Sequence, residues 1–277
     1  MKAVLISPGE RPEVPFLALN GALAAVPALG FSIVEYWMSH LACCGIKQVV
    51  ISASKSPDEI GAIVGNGSRW GMAVEVCAET RELTAEQALE KYAAPASVMD
   101  CFPGLPERLL FQSYAHWFNA LGAWMPHAKT PDRVGVNEVS PGVWVGRHAH
   151  IARDAILRGP CWLGDHVFVG PRAVVGPHAI LENRAFLEPD AQVERSIIGP
   201  DTFVGRYVQI RDSLAWGSAL VDLLQGQQTT VADAFVLCSL HRPPPRLRTP
   251  RLMDRLAEIL KRWKDDEALA SSAVIIK

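Results

Sequence analysis

Four histidines, His148, His150, His166 and His178, fall within one stretch of the sequence. Imidazole moves protons near neutral pH, so each could serve as the base of an acyl transfer. A base also needs an orienting group and a substrate pocket. His166 follows Asp165, and His178 follows Pro177. The same stretch carries Arg147, Arg158, Arg172, Arg184, Arg195, Arg206 and Arg211. Lined up on one surface, they form either a solvated face or a groove for a sugar phosphate or polymer. Trp144, Trp162 and Trp216 have the size of interface anchors. Cys43 and Cys44 are adjacent, while Cys77, Cys101, Cys161 and Cys238 stand alone, and no CxxC pair exists. That usage argues against a zinc knuckle and a disulfide framework and fits a reducing cytoplasm. It reads most cysteines as small core residues and none as catalytic.

The histidines are positioned by a repeat. Val145, Ile151, Leu157, Leu163, Val169, Val175, Leu181, Leu187 and Val193 recur every six residues. After one step of five, Ile198, Val204 and Ile210 continue the series, and glycine follows directly at 146, 164, 170, 176, 199 and 205. Hexapeptide spacing over twelve apolar positions predicts about four coils of a parallel β-helix. The apolar residues face its interior, glycine permits the corners, and the ends need capping. The short step from Glu194 to Ile198 marks a local distortion or a register change. His166 and His178 fall next to corners, which places them in solvent. No long loop interrupts residues 145–210. The tryptophans are off the six-residue register, so corner positions would expose them. Leu214–Trp216 and Thr230–Ala232 are expected to add an irregular coil. Beyond it come a proline-rich spacer at 242–246, an amphipathic helix carrying Leu252, Leu256, Ile259 and Trp263, and a terminal strand at 273–276.

A different pattern precedes the repeat. Apolar runs at 3–6, 48–52 and 73–76 read as strands covered on both faces. Between them, 33–44 has helical spacing and Pro57 opens a second helix with Asp58 and Glu59 in its first turn. Thr84 and Gln87 have capping-box spacing for a third helix running to about Ala94. A further helix is expected over 107–122. The βαβαβα order predicts a small parallel sheet with helices on its faces. Residues 16–30 read as a buried or partner-covered loop. The opening apolar run is too short for a signal peptide or a membrane span. Lys and Arg number 27 against 29 Asp and Glu, a net charge of -2, which disfavours a strongly basic nucleic-acid binder. The 49% hydrophobic content excludes wholesale disorder.

Residues 1–92 resemble, in order, the sugar-1-phosphate nucleotidyltransferases, the NDP-sugar pyrophosphorylases. The branch they look like carries a C-terminal left-handed β-helix, as mannose-1-phosphate guanylyltransferases do. Lys2–Ile6 resembles that family's first strand. Gly30 with Ile33-Val34-Glu35-Tyr36 resembles the start of its first long helix, and Leu41 followed by Gly45-Ile46-Lys47-Gln48-Val49-Val50 its LxxxGI-x-x-VV stretch. Gly65-Asn66-Gly67-Ser68-Arg69-Trp70-Gly71 is close to its GDGSxxG motif. The resemblance implies a phosphate-cradling loop at Ser7-Pro8-Gly9-Glu10-Arg11-Pro12-Glu13, but the family's chemistry is eroded there. Pro8 replaces a glycine and removes a donor. Glu13 stands for an arginine and Leu23 for the signature lysine. The LGTAGAL base-recognition motif is replaced by Leu83–Leu89, and Asp100 is the only acidic residue near where the magnesium aspartate belongs.

The fold expected is therefore α/β + β. A truncated Rossmann-like nucleotidyltransferase domain covers 1–100, a linker with a helix 101–142, and a left-handed β-helix 143–240. A spacer, amphipathic helix and tail cover 241–277. The function expected is that of a catalytically degenerate relative: a regulatory, scaffolding or nucleotide-sugar-binding subunit in sugar-nucleotide or polysaccharide metabolism. The alternatives are a hexapeptide acyltransferase and an active nucleotidyltransferase with an atypical loop. No catalytic residue is expected, with Arg11, His166 and His178 as the remaining candidates and Gly9 and Arg11 as the cofactor-binding ones. No metal site or cofactor is expected, and Mg2+ enters only if nucleotidyltransferase activity is retained. Partners expected are copies of the chain or a hetero-complex, and a nucleotide-sugar or sugar-phosphate ligand. Nucleic acid and a membrane span are not expected, and the location expected is cytoplasmic.

Overall fold

The computed structural model describes residues 1–128 and 135–240, and the backbone of 274–276. The proline-rich spacer and the amphipathic helix expected over 242–263 lie outside the described residues. The chain divides into two compact units. Met1–Val134 and Asp222–Gln228 form the first, and Gly135–Val221 and Thr229–Lys277 the second.

The first unit is built on four parallel strands: β1 Lys2–Ile6, β2 Gln48–Ala53, β3 Ala73–Ala78 and β4 Ala96–Val98. Their order in the sheet is β3-β2-β1-β4. β1 is central, and Ala3–Ile6 are buried, as a continuous apolar run requires. The chain leaves β1 to one side through β2 and β3, then returns to the other side as β4. Open α/β sheets place ligands outside the carboxyl ends of their strands where the order reverses, which here is between β1 and β4.

The helices follow local signals. The stretch at 16–30 contains α1, Pro15–Leu19, and a 3-10 turn, Leu23–Ala25. Phe16, Leu17, Leu23 and Leu29 are buried, so this segment is core of its own chain. Leu19 is 81% exposed. α2 spans Ile33–Cys43 and starts at a capping box, in which the Ser32 N–H donates to Glu35 Oε2 at 2.8 Å. α3 is Pro57–Val64, with proline at its start. α4 is Ala85–Tyr92. Thr84 Oγ1 accepts from the Gln87 N–H and Gln87 Oε1 from the Thr84 N–H, each at 3.2 Å. α5, Tyr114–Trp124, starts later than the periodicity predicts. The Ser113 hydroxyl accepts from the His116 N–H at 3.1 Å, and this cap fixes the start. Leu110 and Phe111 are buried ahead of it without helix.

The second unit is a run of short strands stacked in three sheets, consistent with a parallel β-helix. Val143–Val145, Cys161–Leu163, Ala179–Leu181, Ile197–Ile198 and Ser213–Trp216 pair in parallel in one sheet. Ala149–Ile151, Phe168–Val169, Phe186–Leu187 and Thr202–Val204 do so in the next. Ile156–Leu157, Val174–Val175, Gln192–Glu194 and Gln209–Arg211 make the third. Antiparallel strands border the first two: Asn137–Ser140 on the first sheet, Leu237–Ser239 and Val274–Ile276 on the second. All twelve repeat positions but Leu157, which is half-buried, are buried.

Three expectations need correction. First, the glycines other than Gly176 (φ 95°) do not supply the corner conformation. The left-handed residue comes two positions later, at His148 (φ 54°), His166 (57°), Arg172 (56°) and Tyr207 (61°). Glycine is required because adjacent coils touch. A Cβ on Gly170 would stand 2.7 Å from Pro189 N, and one on Gly164 2.7 Å from Asn183 N. Second, Trp162 is 0% exposed and Trp144 is buried, so neither is an exposed anchor, and Trp216 is half-buried. Third, Cys101 and Cys161 are buried, Cys77 and Cys238 are intermediate, and Cys43 and Cys44 are exposed at the end of α2.

The step of five causes no change of register. Ile197 still pairs with Ile180 and Ile198 with Leu181. The missing residue is taken from the corner between the third and first sheets. That corner is shortened again between Ile210 and Ala215, and Leu214 pairs with Ile197. Ser196 and Ser213 close the two short corners, with the Ser213 N–H donating to Ser196 Oγ at 3.1 Å.

Candidate functional site

The loop leaving β1 and the chain leaving β4 meet at the switch point of the first unit. The Ser7 N–H donates to the Ser52 carbonyl at 2.8 Å, and the Met99 N–H to the Ile6 carbonyl at 2.9 Å. Ser7 is buried, and its hydroxyl has no hydrogen-bond partner. Pro8 presents no donor. The Gly9 N–H and the Arg11 guanidinium then converge on one side chain. The Gly9 N–H donates to Glu82 Oε2 at 2.8 Å. Arg11 Nη1 donates to Glu82 Oε2 and Nη2 to Oε1, both at 2.7 Å. Glu82 comes from the turn between β3 and α4.

Arg11 and Glu82 are 27% and 28% exposed, sheltered enough for the bidentate pair to matter and open enough for solvent ions to reach. Burial pushes the Glu82 carboxyl up, but hydrogen bonds from Arg11 and Gly9 and the charge of Arg11 outweigh it, and the net shift is down. The bond to Glu82 raises Arg11 in turn, against its own burial, with help from the charges of Glu82, Asp100 and Glu13. Asp100, just past β4, is raised by burial and by the Glu82 charge, against the opposing pull of Arg11. Glu13 is exposed and Leu23 is buried. Lys55, which reaches Glu10 of the same loop, is also engaged: its Nζ donates to the Ala18 carbonyl at 2.6 Å and lies 3.4 Å from Glu10 Oε1. Glu59 Oε2 accepts from the Ala22 N–H at 2.8 Å and fixes the turn that buries Leu23.

This arrangement can hold an oxyanion, and the oxyanion it holds is its own Glu82. It does not suit magnesium. Both Glu82 oxygens are taken by cationic and amide donors, and Asp100 lies within the field of the Arg11 charge. Among the described residues, no group of three or more His, Cys, Asp or Glu side chains is placed to hold a metal ion.

The histidine candidates lie elsewhere. His166 and His178 are exposed at two different corners of the repeat, both with left-handed backbone. The His166 ring stacks on His148 with centroids 4.9 Å apart. Asp165 does not orient it, because the Asp165 carboxylate accepts from the Arg147 N–H at 2.8 Å and from Arg147 Nη2 at 2.9 Å. His178 follows Pro177, and its N–H donates to the Pro160 carbonyl at 2.6 Å.

Glu82 is the site residue that the sequence did not reveal. Its sequence separation from Arg11 is 71, and nothing around Thr80-Arg81-Glu82-Leu83 distinguishes it from a solvated turn. The single available signal was its place directly before the segment that replaces the base-recognition motif.

No known protein-family profile matches the chain. Among the described residues, no helix is long and apolar enough to cross a membrane.

Proposed function

We propose that the chain is a catalytically degenerate relative of the sugar-1-phosphate nucleotidyltransferases whose repeat winds left-handed. It acts as a regulatory, scaffolding or nucleotide-sugar-binding subunit in sugar-nucleotide or polysaccharide metabolism, as an oligomer or with a partner chain. The resemblance of residues 1–92 supplies the family. The parallel sheet with β1 at its centre and the turn Ser68–Trp70 ahead of β3 agree with it.

One observation carries the loss of catalysis. The donors facing the switch point, Gly9 N–H and the Arg11 guanidinium, are already satisfied by Glu82. Nucleotidyl transfer builds negative charge on phosphoryl oxygens and needs free cations to receive it. Here the one cation of the loop is neutralised, Glu13 adds a further negative charge, and Leu23 contributes none. Two lost charge-assisted contacts, each worth roughly 1.5–3 kcal/mol, reduce binding or rate by a factor of about 100 or more.

The test is a coupled pyrophosphate-release assay with magnesium, pairing ATP, GTP, UTP, CTP and dTTP with sugar 1-phosphates. The expected result is no release above background. Turnover above about 0.1 per second, a rate low for an enzyme yet easily measured, would overturn the proposal if Arg11→Ala abolished it.

A further inference from the structure

The occupant of the site and the site itself belong to different elements. The donors lie on the loop after β1, and the carboxylate comes from the turn between β3 and α4. That turn is pinned without help from Glu82. On its far side the Thr84–Gln87 capping box fixes the start of α4. On its near side Glu79, at the end of β3, accepts from Lys91 Nζ at 2.6 Å. The Glu82 side chain can therefore leave Gly9 and Arg11 by rotating about its own bonds, with β3 and α4 unmoved. Its partial exposure gives solvent ions a path to the same donors.

A phosphoryl group presents paired oxygens to a guanidinium as a carboxylate does, and it accepts a backbone N–H in the same way. We propose that Glu82 is an internal stand-in for a phosphoryl ligand. It closes an oxyanion site made by the Gly9 N–H and Arg11, and a phosphoryl-bearing small molecule binds by displacing it. The choice of phosphoryl over other oxyanions rests on the nucleotide-sugar-binding reading above. Glu82 competes at the high effective concentration of a tethered group, so it sets a threshold that a weakly charged ligand does not pass. Asp100 and Glu13 both act on the Arg11 charge and raise that threshold further.

The experiment is calorimetric titration of the full chain with inorganic pyrophosphate at neutral pH and fixed ionic strength. Glu82→Ala is expected to bind pyrophosphate at least about tenfold tighter than the unaltered chain. Glu82→Gln, which keeps the side-chain shape, moves affinity in the same direction and carries the test if the alanine variant does not fold. Adding Arg11→Ala to either variant removes the gain. Equal affinity of the unaltered chain and the folded variants overturns the proposal, and so does a gain that survives the loss of Arg11. The same variants are run in the pyrophosphate-release assay. Turnover by Glu82→Ala would refute the non-catalytic reading and leave the displacement in place. No gain in binding, with no turnover, would refute the displacement and leave the non-catalytic reading in place.

Discussion

Arg172 and Asp190 stand one coil apart with the same left-handed backbone, φ 56° and 63°, and meet through two hydrogen bonds of 2.7 and 2.8 Å. Arg184 pairs with Asp201 and Arg195 with Asp212 in the same way, and Arg147 pairs with Asp165 without the left-handed backbone. Four of the seven arginines that could have lined a groove are thus bound to carboxylates of the next coil. Their charge is spent on the stack, and a sugar-phosphate groove on these arginines has lost its main attraction.

These pairs are exposed, and exposed ion pairs add little. Arg172→Ala and Asp190→Ala should each leave the melting temperature almost unchanged, and high salt should do no more. Leu181→Ala removes a wholly buried side chain from the interior and should cost about 2–5 kcal/mol in chemical denaturation. Equal losses from the two kinds of variant would contradict this division.

Glycine substitutions should separate by position. Gly170→Ala drives a methyl group against the backbone of Pro189 and Glu188 and should destabilise by about 2 kcal/mol or more. Gly122→Ala, in α5 with nothing within 4 Å of the new Cβ, should stabilise by about 0.5–1 kcal/mol. Thermal melts of the two variants give opposite signs if coil contact is what demands glycine.

Acid should weaken the first unit. The Glu82 carboxyl is held below its unfolded value of about 4.3, so its contribution is full above that pH and is lost as pH falls through the folded value. Glu79, lowered by Lys91 and Tyr92, has the same sign. The contribution of these two carboxyls should be flat above about pH 5 and fall below about pH 4. Glu82→Gln should cost about 1 kcal/mol at pH 7 and flatten that fall. A slope unchanged by Glu82→Gln in denaturation curves from pH 3 to 7 would count against the pairing.

Asp100 has the opposite sign. Its folded pKa is raised, chiefly by burial, so a penalty builds as pH rises from the unfolded value of about 3.9 through the folded one, and it disappears on acidification. Asp100→Asn should raise the melting temperature at pH 7 and have a diminishing effect as pH falls well below about 3.9, where both states become protonated.

What the sequence conveyed followed from how each contact is encoded. The repeat was legible because one interior position recurs along the chain, and every coil restates it. The Thr84–Gln87 box was legible because a cap is complete within four residues. Ser32 and Glu35 carry the same spacing at the start of the helix over 33–44, and they form the same kind of box. The reason for glycine at 164 and 170 was hidden, because the atoms it avoids lie on the next coil. Glu82 was hidden for the same reason at greater range: a carboxylate that closes a loop 71 positions earlier leaves no periodic trace.

The short corners at Ser196 and Ser213 bear on how such a chain can change over time. Elsewhere around the coil, losing one residue would turn the interior side chain of the following strand outward. At the edge between the third and first sheets, two successive turns have already absorbed that loss with strand pairing intact. Insertions and deletions of single residues are therefore channelled to one edge of the stack. Every other change of length must come as a whole coil of 17 or 18 residues, the spacing of its ion pairs.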